Sequence, residues 1–189
     1  FLIKPININN LIEELTENNY VLMTFHPVTN SNENIALLME YSIIKLLSLN
    51  LKVLITYPNN DTGVEKIIEV INKFSDNNRV IIKKNLGAEG YYSAIYNSKF
   101  VIGNSSSGII EVPYFNKISI NVGNRQEGRD TDSNVWNCKT DKTNLDSIFE
   151  KGELIKWKPS STEGLYGEGN SCELISNIIR SDFEHKNTK

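Results

Sequence analysis

The chain has 189 residues, a length that suits one folded core, and its 26 Asn, 24 Ile and 16 Lys against 3 Ala and 4 Arg skew it toward residues with AT-rich codons. The Asn residues are scattered among Ile, Leu, Val, Phe and Tyr, so apolar burial offsets chain entropy and a disordered or prion-like tract is excluded. Lys plus Arg number 20 and Asp plus Glu 23, a net charge of −3 with no dense basic patch, which speaks against sequence-nonspecific nucleic-acid binding.

In chain order, Asn7 to Glu17 has the spacing of an amphipathic helix, and a first strand is expected at Tyr20 to Phe25. A helix follows at Asn34 to Leu49. Its apolar stretch is broken by Glu40, Ser42, Lys45 and Ser48, too polar and too short to span a bilayer, so no membrane association is expected. Next come a strand at Lys52 to Tyr57, a helix at Val64 to Phe74, a strand at Arg79 to Lys83, a helix at Tyr91 to Asn97, a strand at Phe100 to Ile102, a helix at Gly108 to Phe115 and a strand at Lys117 to Asn121. A segment at Val135 to Cys138, a short helix around Asn144 to Glu150 and a final helix from Ser171 to Ile179 complete the chain, with fraying expected in the first residues and in the charged tail from Ser181 to Lys189. The strands are short and nearly continuous in Ile, Val, Leu or Phe, as strands covered on both faces are, and they alternate with helical segments. The expected fold class is α/β, one domain over residues 1–189 built as a sandwich on a parallel sheet.

Cys138 and Cys172 form no CxxC and no Cys/His cluster, so two free thiols in a reducing compartment are expected. The chain opens on Phe1 without a basic-then-apolar leader, which gives the expectation of a cytoplasmic protein whose natural chain is longer. Two distant His and two distant Cys offer no metal-ligand spacing, and neither a metal nor a cofactor is expected. Walker, nucleophile-elbow and glycosidase carboxylate-pair patterns are absent as well.

In an open parallel sheet, ligands bind beyond the carboxyl ends of the strands, so the strand exits carry the functional reading. Gly103-Asn-Ser-Ser-Ser-Gly108 joins a buried strand to a helix and offers small residues, hydroxyls and backbone N–H groups that suit a diphosphate; the alternative is an ordinary Ser cap. Glu111 lies too deep in that helix for a capping box and sits among Ile109, Ile110 and Val112. It is either a partner for vicinal sugar hydroxyls or a solvent-facing side chain. Arg125 and Arg129, two of only four Arg, share a Gly-rich loop and suit phosphate oxygens, or else pair with Glu127 or Asp130. His26, stiffened by Pro27, suits a phosphate contact or proton transfer, or is structural.

Taken together, five stretches resemble the C-terminal half of hydrolysing UDP-N-acetylglucosamine 2-epimerases, the entry enzymes of sialic acid biosynthesis. They are Phe25-His-Pro-Val-Thr29; Tyr57-Pro-Asn59 with Asp61 and Gly63; Gly103 to Gly108 with Glu111; Asn121-Val-Gly-Asn-Arg-Gln-Glu-Gly-Arg129; and Tyr166-Gly-Glu-Gly-Asn170. The resemblance implies a GT-B architecture of two Rossmann-like domains with a UDP-sugar in the cleft, this chain being the second, three-layer domain. It implies that His26 contacts the ligand near the diphosphate as a catalytic residue, that Ser105 and Ser106 hold phosphate oxygens, that Glu111 grips the ribose and that Arg125 supplies positive charge. By the same resemblance Asn59, Lys84, Asn85 and Leu86 line the nucleotide pocket, with uracil near Leu86. Non-hydrolysing relatives carry His-Arg in place of His26-Pro27 and Gly-Asp-Ser-Gly-Gly in place of Asn104 to Gly108, which favours the hydrolysing branch.

The implied reaction removes UDP by anti elimination through a glycal and then adds water, giving UDP and N-acetylmannosamine. The family's catalytic carboxylates lie in the other domain, so this chain alone is expected to be inactive, and the complete enzyme a homo-oligomer, dimer or tetramer. Related enzymes act on UDP- or GDP-linked 6-deoxy-diacetamido sugars, so the sugar stays open. A GT-B glycosyltransferase donor domain and a non-catalytic UDP-binding module are the competing readings.

Overall fold

Runs of β-branched and aliphatic residues that are apolar on both sides have to be sandwiched, and six of them pair into one parallel sheet in the computed structural model, which describes residues 4–28, 34–150, 165–167 and 170–186. The strands are β1 (Tyr20–Thr24), β2 (Lys52–Thr56), β3 (Val80–Lys83), β4 (Val101–Gly103), β5 (Ser119–Val122) and β6 (Val135–Cys138), in the order β3-β2-β1-β4-β5-β6. The helices are α1 (Ile35–Ser48), α2 (Val64–Lys73), α3 (Gly87–Asn97), α4 (Ser107–Tyr114), α5 (Lys142–Glu150) and α6 (Ser171–Lys186).

Alternation along β1 builds the two cores. Val21 and Met23, with Phe25 beyond the strand, join Val53, Ile55, Ile102 and Ile120 under α1, α2 and α5, where Leu38, Met39, Ile43, Ile71, Leu145 and Phe149 pack. Tyr20 and Leu22 face the other way, with Leu54, Val101, Ala94, Ile95 and Val112 under α3, α4 and the N-terminal segment. The Tyr20 hydroxyl donates to the Ala94 carbonyl at 2.6 Å, so even this buried polar end is satisfied. The result is a three-layer helix–sheet–helix domain with the Rossmann strand order.

The chain winds outward from β1 through β2 to β3, then crosses back to place β4 on the other side of β1. Thr24 pairs with Gly103 at the end of both strands, so the order reverses between these two exits. A crevice opens there for a topological reason: successive connections leave in opposite directions.

Boundaries of most elements depart from the sequence expectation by one or two residues. Larger differences have local causes. Asn7 to Glu17 forms a single 3-10 turn, Ile8–Asn10, in place of an amphipathic helix. Asn7 Oδ1 accepts from Asn9 N at 3.0 Å and Asn9 Nδ2 donates to the Glu13 carbonyl at 2.8 Å, so side chains compete for the groups a helix would use. Ile8, Ile12 and Leu15 are buried nonetheless. Helix α3 begins at Gly87, four residues before the expected Tyr91, and Gly90 in its first turn is buried, where an added Cβ would come within 3.2 Å of Leu86 Cβ. Val135 to Cys138 is a sixth strand, paired in parallel with β5. The last helix runs to Lys186, through 181–186 where fraying is expected; residues 187–189 lie outside the described residues, as do Thr29, Glu168 and Gly169 of the matched stretches. No helix among the described residues is long and apolar enough to cross a membrane. Cys138 is buried, Cys172 is exposed, and both are free thiols.

Candidate functional site

Two strand exits meet at the crevice because β1 and β4 approach more closely there than a side chain allows. Gly103 has φ +151°, and a Cβ built on it would lie 1.8 Å from the Thr24 carbonyl oxygen. Only glycine fits this contact. It delivers Asn104 directly beside His26. Asn104 is fully buried; its Oδ1 accepts from the His26 N–H at 2.7 Å and its Nδ2 donates to the His26 carbonyl at 2.8 Å.

His26 is itself buried, and its Nδ1 accepts the backbone N–H of Asn59 at 3.1 Å. An Nδ1 that accepts carries no proton, so the neutral ring holds its hydrogen on Nε2. Burial lowers the His26 pKa from its ordinary value to about 4, the Arg125 charge pushes the same way, and Asp61 opposes them. His26 is therefore a neutral ring at physiological pH, with its Nε2–H as a donor.

Ser106 is the N-cap of α4 with φ −60° and ψ −26°, and its hydroxyl makes no capping bond. The simple capping alternative thus leaves that hydroxyl unexplained, at the end of a helix whose N–H groups and dipole favour an anion. Ser105 Oγ accepts only a long 3.4 Å bond from Ser107 N. One turn into α4, Glu111 is half-buried and its Oε2 is buried with no hydrogen-bond partner. One of its two carboxylate oxygens is thus turned away from solvent, where a donor such as a sugar hydroxyl would satisfy it.

From β5, Arg125 Nη1 donates to the Asn104 carbonyl at 3.3 Å and Gln126 Nε2 donates to the same oxygen at 2.8 Å. The guanidinium is thereby held against the turn that bears Ser105 and Ser106. Arg129 is exposed, and neither Arg forms an ion pair with Glu127 or Asp130 among the described residues. By contrast Arg79 donates to the Leu47 carbonyl at 2.9 Å, at the C-terminal end of α1, a structural use of the same side chain.

Lys84, Asn85 and Leu86 leave β3, two strands from β1, about 10 Å along the sheet edge at the usual strand spacing. Asn85 Oδ1 accepts from Gly87 N at 2.8 Å, and Lys84 Nζ lies 5.7 Å over the Tyr57 ring. The structure thus brings His26, Ser105, Ser106, Glu111 and Arg125 together, with Asn59 joined through its backbone, and sets Lys84 to Leu86 apart at the sheet edge. Tyr91 was not singled out by sequence. Its phenol lies against Ser107 and Thr24 and beside Glu111, and burial raises its pKa. The motif residue Tyr166 donates to the Asp130 carbonyl at 2.7 Å and so ties to the β5-exit loop.

Beside this cluster, the β5 and β6 exits enclose a cavity of about 460 Å³ lined by Asn121, Gln126, Arg129, Asn137, Cys138 and Lys139 among others. Its volume is within the range of small-molecule sites.

A sequence model of a family described as UDP-N-acetylglucosamine 2-epimerase matches residues 3–180. A Legionella pneumophila UDP-N,N'-diacetylbacillosamine 2-epimerase (hydrolyzing) is 32% identical over 160 residues, 85% of this chain and 42% of the relative. A Neisseria meningitidis UDP-N-acetylglucosamine 2-epimerase is 29% identical over 167 residues, covering 86% of this chain and 43% of the relative. Among solved structures, N. meningitidis UDP-GlcNAc 2-epimerase bound to UDP-GlcNAc superposes with a TM-score of 0.70 at 15% identity, over 92% of this chain and 48% of that one. The chain therefore spans less than half the length of the relatives it matches.

Proposed function

The chain belongs to the UDP-N-acetylglucosamine 2-epimerase family, and from that premise we propose that it is the nucleotide-diphosphate-binding half of a hydrolysing 2-epimerase. The observation that carries this reading is the convergence at one topological switch point of the α4 N-terminus with a Ser106 hydroxyl that makes no capping bond, the Arg125 guanidinium, the His26 donor and the unpartnered Glu111 oxygen. Anionic phosphates suit the first three, and the vicinal hydroxyls of a ribose suit the fourth. Lys84, Asn85 and Leu86, two strands along the sheet edge, then line the path of the base, with Asn59 at its near end beside His26.

In this reading the substrate is a UDP-linked 2-acetamido sugar, UDP-GlcNAc or a 6-deoxy-diacetamido analogue, and the products are UDP and the free C2 epimer. Departure of UDP leaves charge on the diphosphate. Fixed donors in a partly dry site stabilise that charge without reorganising, which is this domain's contribution to the anti elimination. His26 supplies its Nε2–H as one of those donors. Proton abstraction at C2 and addition of water fall to carboxylates of the complementary half, so the 189-residue chain alone binds UDP without turning substrate over. The working enzyme is a cytoplasmic homo-oligomer in this proposal.

Calorimetry of the chain with UDP tests the site: binding is expected, and Arg125→Ala is expected to weaken it by about 1.5 to 3 kcal/mol, the value of a charge-assisted contact. Equal binding by parent and variant sinks the assignment. NMR of the products formed when the complementary half is supplied separates the epimerase from a glycosyltransferase, because release of the free epimer needs no acceptor.

A further inference from the structure

We propose that Asn104 is a positioning residue that acts through His26, using its side-chain amide as a surrogate peptide to hold the histidine for a ligand. The proposal rests on the reading of His26 as a ligand contact. The β1–β4 ladder ends at Thr24 and Gly103, and the main chains then part toward different helices. Asn104 N–H still reaches the Thr24 carbonyl at 3.2 Å; beyond that point no strand neighbour serves His26. The Asn104 side chain takes over. It offers one acceptor to the His26 N–H and one donor to the His26 carbonyl, at 2.7 and 2.8 Å, and so satisfies both backbone groups of one buried residue.

The chemistry restricts what can stand at this position. Asp has the right length but presents only acceptors, one of them facing the His26 carbonyl; Gln is a methylene too long; Ser cannot bridge both groups; Leu leaves both unpaired. The main-chain carbonyl of the same residue accepts from Arg125 and Gln126. The Asn59 N–H fixes the ring through Nδ1. Four of the six strand exits, those of β1, β2, β4 and β5, are thus linked through two residues, and the Nε2–H is presented in one orientation. Within this network both backbone groups of His26 and its ring Nδ1 are paired, which in a buried setting favours one geometry; Gln126 Oε1, buried without a hydrogen-bond partner, is its open end.

Two readouts test this on the 189-residue chain. In a ¹⁵N-histidine NMR experiment with His185→Gln removing the second histidine signal, the parent is expected to show the neutral Nε2–H tautomer of His26. In Asn104→Ala, and in the isosteric Asn104→Asp should Ala not fold, that pattern is expected to collapse toward a tautomer average. In UDP titrations, Asn104→Ala is expected to weaken binding about tenfold in the parent background and at most about threefold when His26 is already Ala, because coupled residues are not additive. An unchanged tautomer pattern in a folded Asn104 variant, or equal losses in the two backgrounds, overturns the proposal. A parent that binds no UDP while the Asn104 variants still lose the tautomer pattern counts against the nucleotide reading and for the positioning role.

Discussion

Glu111→Ala is expected to move stability and binding in opposite directions. The Oε2 atom is buried without a partner, whereas the rest of the side chain is half-exposed. An unsatisfied buried polar group costs about 1 to 3 kcal/mol, and partial exposure places Glu111 near the lower bound, about 1 kcal/mol. Alanine removes that cost and adds a few tenths of helix propensity. For a domain of this size about 1 kcal/mol corresponds to roughly 2 to 4 °C, so the ligand-free variant is expected to melt higher than the parent by that amount. With UDP the sign reverses. At a concentration of 100 Kd, ligand stabilises the parent by about 2.7 kcal/mol. A charge-assisted contact to the ribose lost at about 1.5 kcal/mol raises Kd roughly 13-fold and leaves about 1.3 kcal/mol of that stabilisation. Differential scanning calorimetry with and without UDP reads both effects. A ligand-free variant that melts lower than the parent and keeps the full UDP-induced shift refutes the argument, since Glu111 would then be a structural residue with a partner.

Gly103→Ala is expected to cost about 3 kcal/mol or more, from a left-handed φ and a Cβ 1.8 Å from the Thr24 carbonyl; urea denaturation checks it, and a loss under 1 kcal/mol refutes the close approach. His26 makes the fold acid-sensitive. Its folded pKa of about 4 lies below its unfolded value near 6.5, so between those values the unfolded chain binds the proton, and stability is lost as pH falls through that window and is fully present above it. Between pH 7 and pH 4.5 the parent is expected to lose about 2 to 3 kcal/mol more than His26→Gln in denaturant titrations, and identical losses exclude the effect. Burial pushes the Cys138 thiol up to about 12, whereas Cys172 is exposed. Alkylation at pH 8 is therefore expected to modify one thiol per native chain and both in denaturant, and two in the native state would show that the β6 exit opens.

Alternation of β-branched runs with helical segments was enough to read the α/β class, since strands covered on both faces have a pattern that depends only on local residue order. The placement of His26, Ser105, Ser106, Glu111 and Arg125 was legible for a related reason: strand ends can be read, and these residues follow them. What local order could not supply was which exits are neighbours. The return of the chain from β3 to β4 is a non-local event, and it alone puts Asn104 against His26, while Lys84, Asn85 and Leu86, read from the same kind of loop, end two strands away. Pairing with β5 likewise placed Val135 to Cys138 as a sixth strand, whereas Asn7 to Glu17 became a single turn for a local reason, Asn side chains taking the backbone groups. The protonation of His26 belongs to the same category. Residue type set a value near neutrality, and burial with the Arg125 charge and the Asn59 N–H, brought together only by the fold, decided a neutral ring with its proton on Nε2.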